Sequence, residues 1–462
     1  MANKRIVLVG AGSTSFGPSM FTDLFLSKKL DGSTIVLHDI DGEKLEMIYE
    51  LVLKENEKFG NKYNIERTID RKKAFKDADF IISSIEIGDR FKLWWQDYEI
   101  PRKHGSTQIL GECGGPGGSF HAFRIIPSII EIVKDAEKIC PNAFFINFSN
   151  PMARVCLAIK RSVENLKFIG LCHQIGFMDK HIPRMFYDKF YNDNLESLDI
   201  KEKVKRLKEI HSSIRMHAAG LNHFAFLIGL KNLKTGEDLM PEFNKRAMDY
   251  FKKHEDRFEF STLTFEVYKR FGWFPYVGDN HLGEYLQFGE EFTETQDMID
   301  WIERADQGGK AIYDRVTRYY RRLKKGRYTR KGLLPNTPTG ERAIPIIEEI
   351  IEDQNAYETA VNIPNDGIIE NLPQDLIVEV SVRVDADGVH GVKIGKLPKN
   401  IAAILRIEAS VQDVCVEAIL QKSKELAITA LAIDPNVGSF EKAEAMFNEM
   451  REIQPEYLGY FK

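Results

Sequence analysis

The chain has 462 residues, of which 43% are hydrophobic and 29% are charged, a composition typical of a globular protein with two or three domains. The net charge of −5 argues against nucleic acid or an anionic membrane as a partner. No apolar run reaches the length of a membrane span. The five cysteines are odd in number and scattered, which favours reduced thiols and a cytoplasmic location.

The N-terminal stretch reads as strand, glycine turn, helix and second strand. Gly10 permits a tight turn, and Gly12 lets a pyrophosphate approach the backbone at the start of the helix. The second strand ends in Asp39, which is well placed to bind ribose hydroxyls and disfavours a 2′-phosphate. We therefore predict that the chain binds NAD. Because Ser15 replaces the third glycine of the fingerprint, the alternative is an ordinary turn followed by a helix-capping Asp.

Strands and helices continue to alternate up to about residue 170, and the character changes after residue 176. The first part predicts an α/β fold with a Rossmann-like, doubly wound sheet. The second part predicts a mixed α+β domain. We place an NAD-binding domain at residues 1–195 and a domain for substrate, metal and oligomerisation at residues 196–462.

One short apolar run ends in an adjacent Cys172 and His173. The run is typical of a buried strand, and ligands of open α/β sheets bind beyond the carboxyl ends of strands. A thiolate and an imidazole are good ligands for a divalent transition metal. The alternative is a structural Cys beside a hydrogen-bonded His. His223, in an Asn-His pair before a later apolar strand, is open to the same two interpretations.

Three further features favour a ligand site. The glycine-rich loop at residues 111–118 precedes a helix, and such loops bind anions or bring the backbone close to a ligand. Pro151 ends another predicted strand, so the amide of Asn150 is expected to face the crevice. The loop at residues 271–281 is dense in titratable groups.

Together these motifs resemble the family 4 glycoside hydrolases, the NAD- and Mn-dependent glycosidases. The resemblance runs nearly end to end, and the combination of motifs in this order is specific. The motifs are Gly10-Ala-Gly-Ser13, Asp39, the Pro-Gly-Gly loop, Ser149-Asn-Pro151, Cys172-His173, Gly220-Leu-Asn-His223, and Asn365-Asp-Gly followed by Asn371-Leu-Pro373.

The resemblance implies a redox-elimination mechanism. NAD⁺ oxidises the C3 hydroxyl of the sugar, and the new ketone acidifies the C2 proton, which a base removes. The C1–O bond then breaks by elimination, water adds, and the ketone is reduced back. A metal that chelates the C2 and C3 oxygens can stabilise the enediolate.

The resemblance also implies site residues. The metal ligands for Mn²⁺ are Cys172 and His223. The substrate contacts are Glu112, Asn150 and Asn222. The NAD contacts are Gly10, Gly12, Ser13, Phe16 and Asp39. His173 is the expected general acid, since an imidazole suits proton donation at neutral pH. Asp279 is the expected base, with His281 and Tyr276 as alternatives.

The sequence thus predicts a retaining α-glycosidase that acts on unphosphorylated galactosides, glucosides or uronides. His173 carries this prediction, because phospho-sugar members of the family have Asn or Asp after the ligand Cys. The alternative is an NAD-dependent dehydrogenase of the lactate/malate type, which needs a catalytic Asp-His pair and no metal ligands. We expect a homodimer or homotetramer with a small glycoside as its partner, and neither nucleic acid nor membrane.

Overall fold

The computed structural model describes residues 3–13, 16–172, 174–253, 262–328 and 332–462. The strands are β1 (Arg5–Val9), β2 (Thr34–His38), β3 (Asn64–Thr68), β4 (Phe80–Ser83), β5 (Phe144–Asn147), β6 (Lys167–Gly170), β7 (Ile214–Leu221), β8 (Phe224–Asn232), β9 (Ala356–Pro364), β10 (Ile377–Asp385) and β11 (Gly388–Gly391).

The helices alternate with the strands in the N-terminal part and dominate the C-terminal end. They are α1 (Phe16–Leu26), α2 (Gly42–Lys58), α3 (Arg71–Phe75), α4 (Arg90–Lys103), α5 (Gly115–Ile139), α6 (Met152–Ser162), α7 (Gly176–Met185), α8 (Ile200–Ser213), α9 (Met240–Lys253), α10 (Thr262–Phe271), α11 (Asp279–Leu282), α12 (Thr295–Lys324), α13 (Ala343–Glu352), α14 (Lys399–Gln421), α15 (Lys424–Ile433), α16 (Phe440–Ile453) and α17 (Pro455–Leu458).

The first six strands form a parallel sheet in the order β3-β2-β1-β4-β5-β6. Helices cover both faces of such a sheet, so its central strands are short runs of apolar residues, as β1, β4 and β5 are. The prediction of an α/β fold with a Rossmann-like, doubly wound sheet is confirmed.

The C-terminal strands extend this sheet in antiparallel fashion. Gly170 of β6 pairs with Asn362 of β9, and the order continues as β9-β10-β7-β8, with β11 beside β10. Strands β7 and β8 form a hairpin whose two-residue turn is Asn222-His223. His223 has a φ of 61°, a left-handed conformation that is uncommon for a residue other than glycine. The Asn-His pair thus lies in a turn between two strands.

The proposed division at residue 195 stays a prediction. The sheet and one hydrophobic cluster, which contains both Ile6 and Val380, continue across it. Helices α14 and α15 pack against α5, so the end of the chain covers the N-terminal helices. In the described ranges, no helix combines the length and apolar character that a membrane span requires.

Candidate active site

The thiol of Cys172 lies 3.1 Å from Nε2 of His223. Cys172 follows β6, and His223 is in the turn between β7 and β8. Strands β9 and β10 lie between β6 and β7 in the sheet, so the antiparallel extension brings the two predicted metal ligands together. Burial, with a contribution from Glu379, raises the pKa of the Cys172 thiol to about 12. A bound cation would reverse this preference, because a metal binds the thiolate.

A thiol and an imidazole nitrogen at this distance fit a transition metal. Within the described parts of the chain, no group of three or more His, Cys, Asp and Glu side chains is arranged to hold a metal ion. A metal held by one thiolate and one imidazole has further coordination positions that ligand oxygens can fill. His173, the predicted general acid, lies outside the described residues.

Asn150 and Asn222, two of the predicted substrate contacts, each carry an unsatisfied acceptor. The Oδ1 atom of each is buried and has no hydrogen-bond partner among the described residues. Buried polar atoms are normally hydrogen-bonded, so an exception requires an explanation. A sugar hydroxyl that donates to each oxygen would supply the missing bond.

Glu379, on β10, is a buried carboxylate that the sequence analysis did not identify. It accepts a hydrogen bond of 2.6 Å from Nδ2 of Asn222, one of 2.9 Å from Nδ2 of Asn362, and one from the hydroxyl of Tyr276. The side chain is buried, and this burial raises the pKa of Glu379. The available signal was a single acid within the apolar residues 376–380.

The same contact bears on Tyr276, an alternative for the base. Its hydroxyl donates to Glu379, and burial together with this carboxylate raises the pKa of Tyr276 well above its usual value. A hydroxyl in this environment keeps its proton. In this structure Tyr276 therefore acts as a hydrogen-bond donor to Glu379.

Asp279, predicted as the base, contacts the start of α10. Its carboxylate accepts hydrogen bonds of 2.9 Å from the backbone amides of Leu263 and Thr264, and another from the Thr264 hydroxyl. These amides belong to the first turn of α10, which leaves backbone donors without partners inside the helix. The geometry is that of a helix cap, because the fold brings the α11 loop against the start of α10, and the role of Asp279 as the base stays a prediction.

His281, the other alternative for the base, lies beside the Cys172–His223 pair. Its ring centroid is 4.3 Å from that of His223, and its Nε2 is 4.0 Å from the Glu112 carboxylate. Its Nδ1 is 2.9 Å from Glu284, which is fully buried. The structure thus brings together Cys172, His223, His281 and Glu112.

Glu284 also explains the glycine-rich loop. Its Oε2 accepts a hydrogen bond of 2.6 Å from the amide of Cys113 and a second from Gly114. A side chain on Gly117 would meet the carbonyl oxygen of Gly111 at 2.6 Å. Glycine at position 117, in the first turn of α5, therefore allows the helix to pack closely against the loop at Gly111, and two amides of the loop bind an internal carboxylate instead of an external anion.

The predicted dinucleotide site is a tight turn between β1 and α1. Gly10 has a φ of 85°, and a side chain there would meet the Ser84 carbonyl oxygen at 2.2 Å. The Asp39 carboxylate accepts a hydrogen bond of 2.8 Å from the amide of Gly12, and the amide of Ser13 donates to the Gly10 carbonyl at 3.0 Å. Helix α1 begins at Phe16, whose side chain is outside the description. A glycine turn, a helix start and an acid at this edge fit a dinucleotide.

These features define a Rossmann-like protein with an antiparallel C-terminal extension and a Cys-His pair at the junction. Residues 5–187 match the Family 4 glycosyl hydrolase family, and residues 218–437 match its C-terminal domain. An alpha-glucosidase of Erwinia rhapontici is 32% identical over 99% of both chains. An alpha-galactosidase of Bacillus subtilis (strain 168) is 30% identical over 99% of this chain and 100% of its own length. The chain belongs to glycosyl hydrolase family 4.

Solved structures share the fold. A 6-phospho-alpha-glucosidase from gut microorganisms, in complex with NAD and Mn²⁺, has a TM-score of 0.79 at 21% identity and covers 99% of each chain. The 6-phospho-beta glucosidase from Thermotoga maritima, with manganese, NAD⁺ and glucose-6-phosphate, has a TM-score of 0.75 at 23% identity and covers 98% of this chain and 99% of that one.

Proposed function

We propose that the chain is a retaining α-glycosidase that hydrolyses unphosphorylated α-glycosides with the help of NAD and Mn²⁺. The observation that carries the proposal is the 3.1 Å contact between Cys172 and His223 at the sheet junction of a family 4 chain. Relatives are named alpha-glucosidase, alpha-galactosidase and alpha-galacturonidase. Solved neighbours contain NAD with Mn²⁺.

NAD would bind at the carboxyl edge of β1 and β2. Asp39 would accept hydrogen bonds from the ribose hydroxyls while it holds the amide of Gly12, so that one side chain both shapes the turn and binds the cofactor. The remaining proposed contacts are Gly10, Ser13 and Phe16. The acid also gives the site a preference for NAD over NADP.

Cys172 and His223 would hold the metal, and Asn150 and Asn222 would accept hydrogen bonds from sugar hydroxyls through their unsatisfied oxygens. When bound, NAD⁺ supplies hydride transfer at C3 of the sugar and the metal supplies polarisation of the C2 and C3 oxygens, which together make the C2 proton acidic. Glu112, which lies beside His281, would accept a hydrogen bond from a further sugar hydroxyl.

Proton transfer is assigned to histidines in this proposal. His173 would donate a proton to the leaving oxygen, since it follows a metal ligand and an imidazole suits this role at neutral pH. For the base, the contacts favour His281, which lies against His223, over Asp279, which caps α10. Asp279 can serve as the base only if substrate binding releases its carboxylate from that helix.

The dehydrogenase alternative has no supporting observation. A dehydrogenase of the lactate/malate type needs no metal ligands, whereas Cys172 and His223 are placed as a pair. A thiolate ligand also requires a reducing compartment, which supports the proposal of a cytoplasmic enzyme. The proposed homodimer or homotetramer is open to measurement by light scattering.

The proposal is tested with nitrophenyl α-glucoside, α-galactoside and α-galacturonide. The purified chain is assayed with NAD⁺, Mn²⁺ and a thiol reductant, and again with each component omitted. We expect release of nitrophenol only when all three are present. Hydrolysis at full rate without NAD⁺, or with EDTA in place of Mn²⁺, would contradict the proposal.

A further inference from the structure

We propose that the sugar pocket takes a neutral α-hexopyranoside and discriminates against α-uronides, an inference that depends on the proposed function. The basis is the cavity beside Glu112, between α4 and α5. Six titratable side chains line it, namely Glu86, Arg90, Asp97, Glu112, His121 and Arg124. A uronide differs from the corresponding hexoside by a carboxylate, so the charges around this small cavity favour or oppose that carboxylate when the sugar binds beside Glu112.

Each basic group of the cavity already has an acidic partner. Arg90 contacts Glu112 at 2.7 Å, His121 lies 3.3 Å from Glu86, and Nη1 of Arg124 donates to Asp97 at 2.7 Å. Three acids therefore face three bases, and the lining described here offers a carboxylate no unpaired cation.

The Glu86–His121 pair is ionic. Burial is the largest single cause and disfavours both charges, but the attraction and the hydrogen bond between the two groups, with help from neighbouring charges, together outweigh it. The pKa of His121 is therefore raised and that of Glu86 is lowered to about 2. With His121 protonated, the three pairs sum to zero net charge. Deprotonation of His121 would make the cavity negative, which disfavours a uronide further.

Through Glu112 and His281, the cavity is connected to the Cys172–His223 pair. Glu112 lies 4.0 Å from Nε2 of His281, and the ring of His281 is 4.3 Å from that of His223. A sugar whose C2 and C3 oxygens face Cys172 and His223 would thus present its remaining substituents toward Glu112. The side chain of Glu112 is only 7% exposed, so its charge depends on Arg90 for compensation.

A uronate carboxylate in this position would have to compete with Glu112 for Arg90. Whether Arg90 then pairs with one carboxylate or with both, two carboxylates would share a single cation and lie side by side. A neutral hexoside avoids both situations, because its hydroxyls can donate to Glu112 while Arg90 stays paired. We expect a preference of about tenfold or more for neutral substrates in kcat/KM.

The first test compares kcat/KM for the three nitrophenyl α-glycosides with NAD⁺, Mn²⁺ and reductant. A preference for the glucoside or the galactoside over the galacturonide supports the inference. Turnover of the galacturonide as fast as, or faster than, both neutral sugars overturns it while the proposed function stands. Turnover of none of the three removes the proposed function, and this inference with it.

The second test uses Glu112→Gln, which removes the acidic partner of Arg90. The ratio of uronide to neutral kcat/KM should rise by about tenfold or more, because the freed cation can pair with the substrate carboxylate. Arg90→Gln, which leaves Glu112 uncompensated, should lower this ratio. The matched control is Glu290→Gln, which breaks the exposed 3.1 Å pair with Arg102 and should leave the ratio unchanged. Thermal melts verify folding, and an unchanged ratio in both pocket variants would overturn the inference.

Discussion

Asn222 donates a hydrogen bond of 2.6 Å to Glu379, although 157 positions separate the two residues in the chain. Asn362 donates to the same oxygen, and Tyr276 donates to the other one. Because three donors converge on one carboxylate, the amide nitrogen of Asn222 is held toward Glu379 and its Oδ1 remains available for a ligand. Glu379 thus positions the residue directly before His223.

Replacement of this carboxylate should impair the site without touching a ligand directly. In Glu379→Gln, the three hydrogen bonds lose their charged acceptor, so we expect a loss of about 1–3 kcal/mol in unfolding free energy. Mn²⁺ affinity should fall by about tenfold or more. Calorimetric Mn²⁺ titration and thermal melts measure both. Tyr276→Phe is the control, since it keeps both Asn contacts and should affect Mn²⁺ binding less. Reduced stability with unchanged Mn²⁺ affinity would show that Glu379 is only structural.

Removal of the thiol should abolish metal-dependent activity. Cys172→Ser should lower kcat/KM by more than about 100-fold, because serine is a poor ligand for a transition metal. This loss is larger than the one expected from removing a group that only hydrogen-bonds to a metal ligand. NAD⁺ affinity, measured by calorimetry, should be largely intact. Cys140→Ser, at a buried thiol on the C-terminal end of α5, serves as the control and should retain activity. Full activity of the native chain in EDTA would contradict the metal assignment.

The Asp39 carboxylate should contribute to NAD⁺ binding in two ways. Asp39→Ala removes the proposed ribose contact and also the 2.8 Å bond to the Gly12 amide, so NAD⁺ should bind much more weakly. Discrimination against NADP⁺ should relax, since the repulsion of a 2′-phosphate is lost. Titration calorimetry with both cofactors checks this, with Asp41→Ala, which removes the N-cap of α2, as the control. Unchanged NAD⁺ affinity would show that the dinucleotide assignment is wrong.

The elimination scheme predicts that product formed in D₂O carries deuterium at C2, because the base returns a solvent proton there. His281→Gln should suppress this incorporation and turnover. Asp279→Asn should lower the melting temperature, since loss of a helix cap costs about 1 kcal/mol. NMR of the product and thermal melts of both variants separate the two roles.

Three outcomes of that experiment would change the assignment. Suppressed exchange in Asp279→Asn at unchanged stability would return the base role to Asp279. Suppressed exchange in neither variant would exclude both residues. Absence of C2 deuterium in the native product would mean that the elimination mechanism must be dropped or that the base is shielded from solvent throughout.

Glu408 should make stability depend on pH. Burial raises its pKa from 4.5 to about 7, although Arg154, 3.2 Å away, opposes the shift. The folded chain therefore keeps a proton that the unfolded chain releases, so this contribution is present below pH 4.5 and is lost as pH rises through about 7. The change amounts to about 3 kcal/mol. Melting temperatures of Glu408→Gln should vary less with pH across this window, and parallel curves for both proteins would contradict the prediction.

The amino-acid sequence alone was sufficient for the parallel half of the fold, and it led to the prediction that Cys172 and His223 act together, two residues that the structure places in contact. Strand, turn and helix signals are local, because backbone preferences and apolar periodicity act over a few residues. These signals were enough to place Gly10 in the turn after the first strand and Asp39 at the end of the second. The motif order then indicated the family, which the matches over residues 5–187 and 218–437 confirm.

Only the tertiary structure decided how distant side chains are used. The pairing of Gly170 with Asn362 joins the two halves of the sheet, and this contact between residues far apart in sequence brings Glu379 beneath the site. The same holds for Asp279, whose partners on α10 lie outside its own loop. A carboxylate has the same sequence signature whether it caps a helix, clamps an amide or accepts a proton. Its role is decided by which donors the fold places within hydrogen-bond distance, and these donors lie far away in the chain.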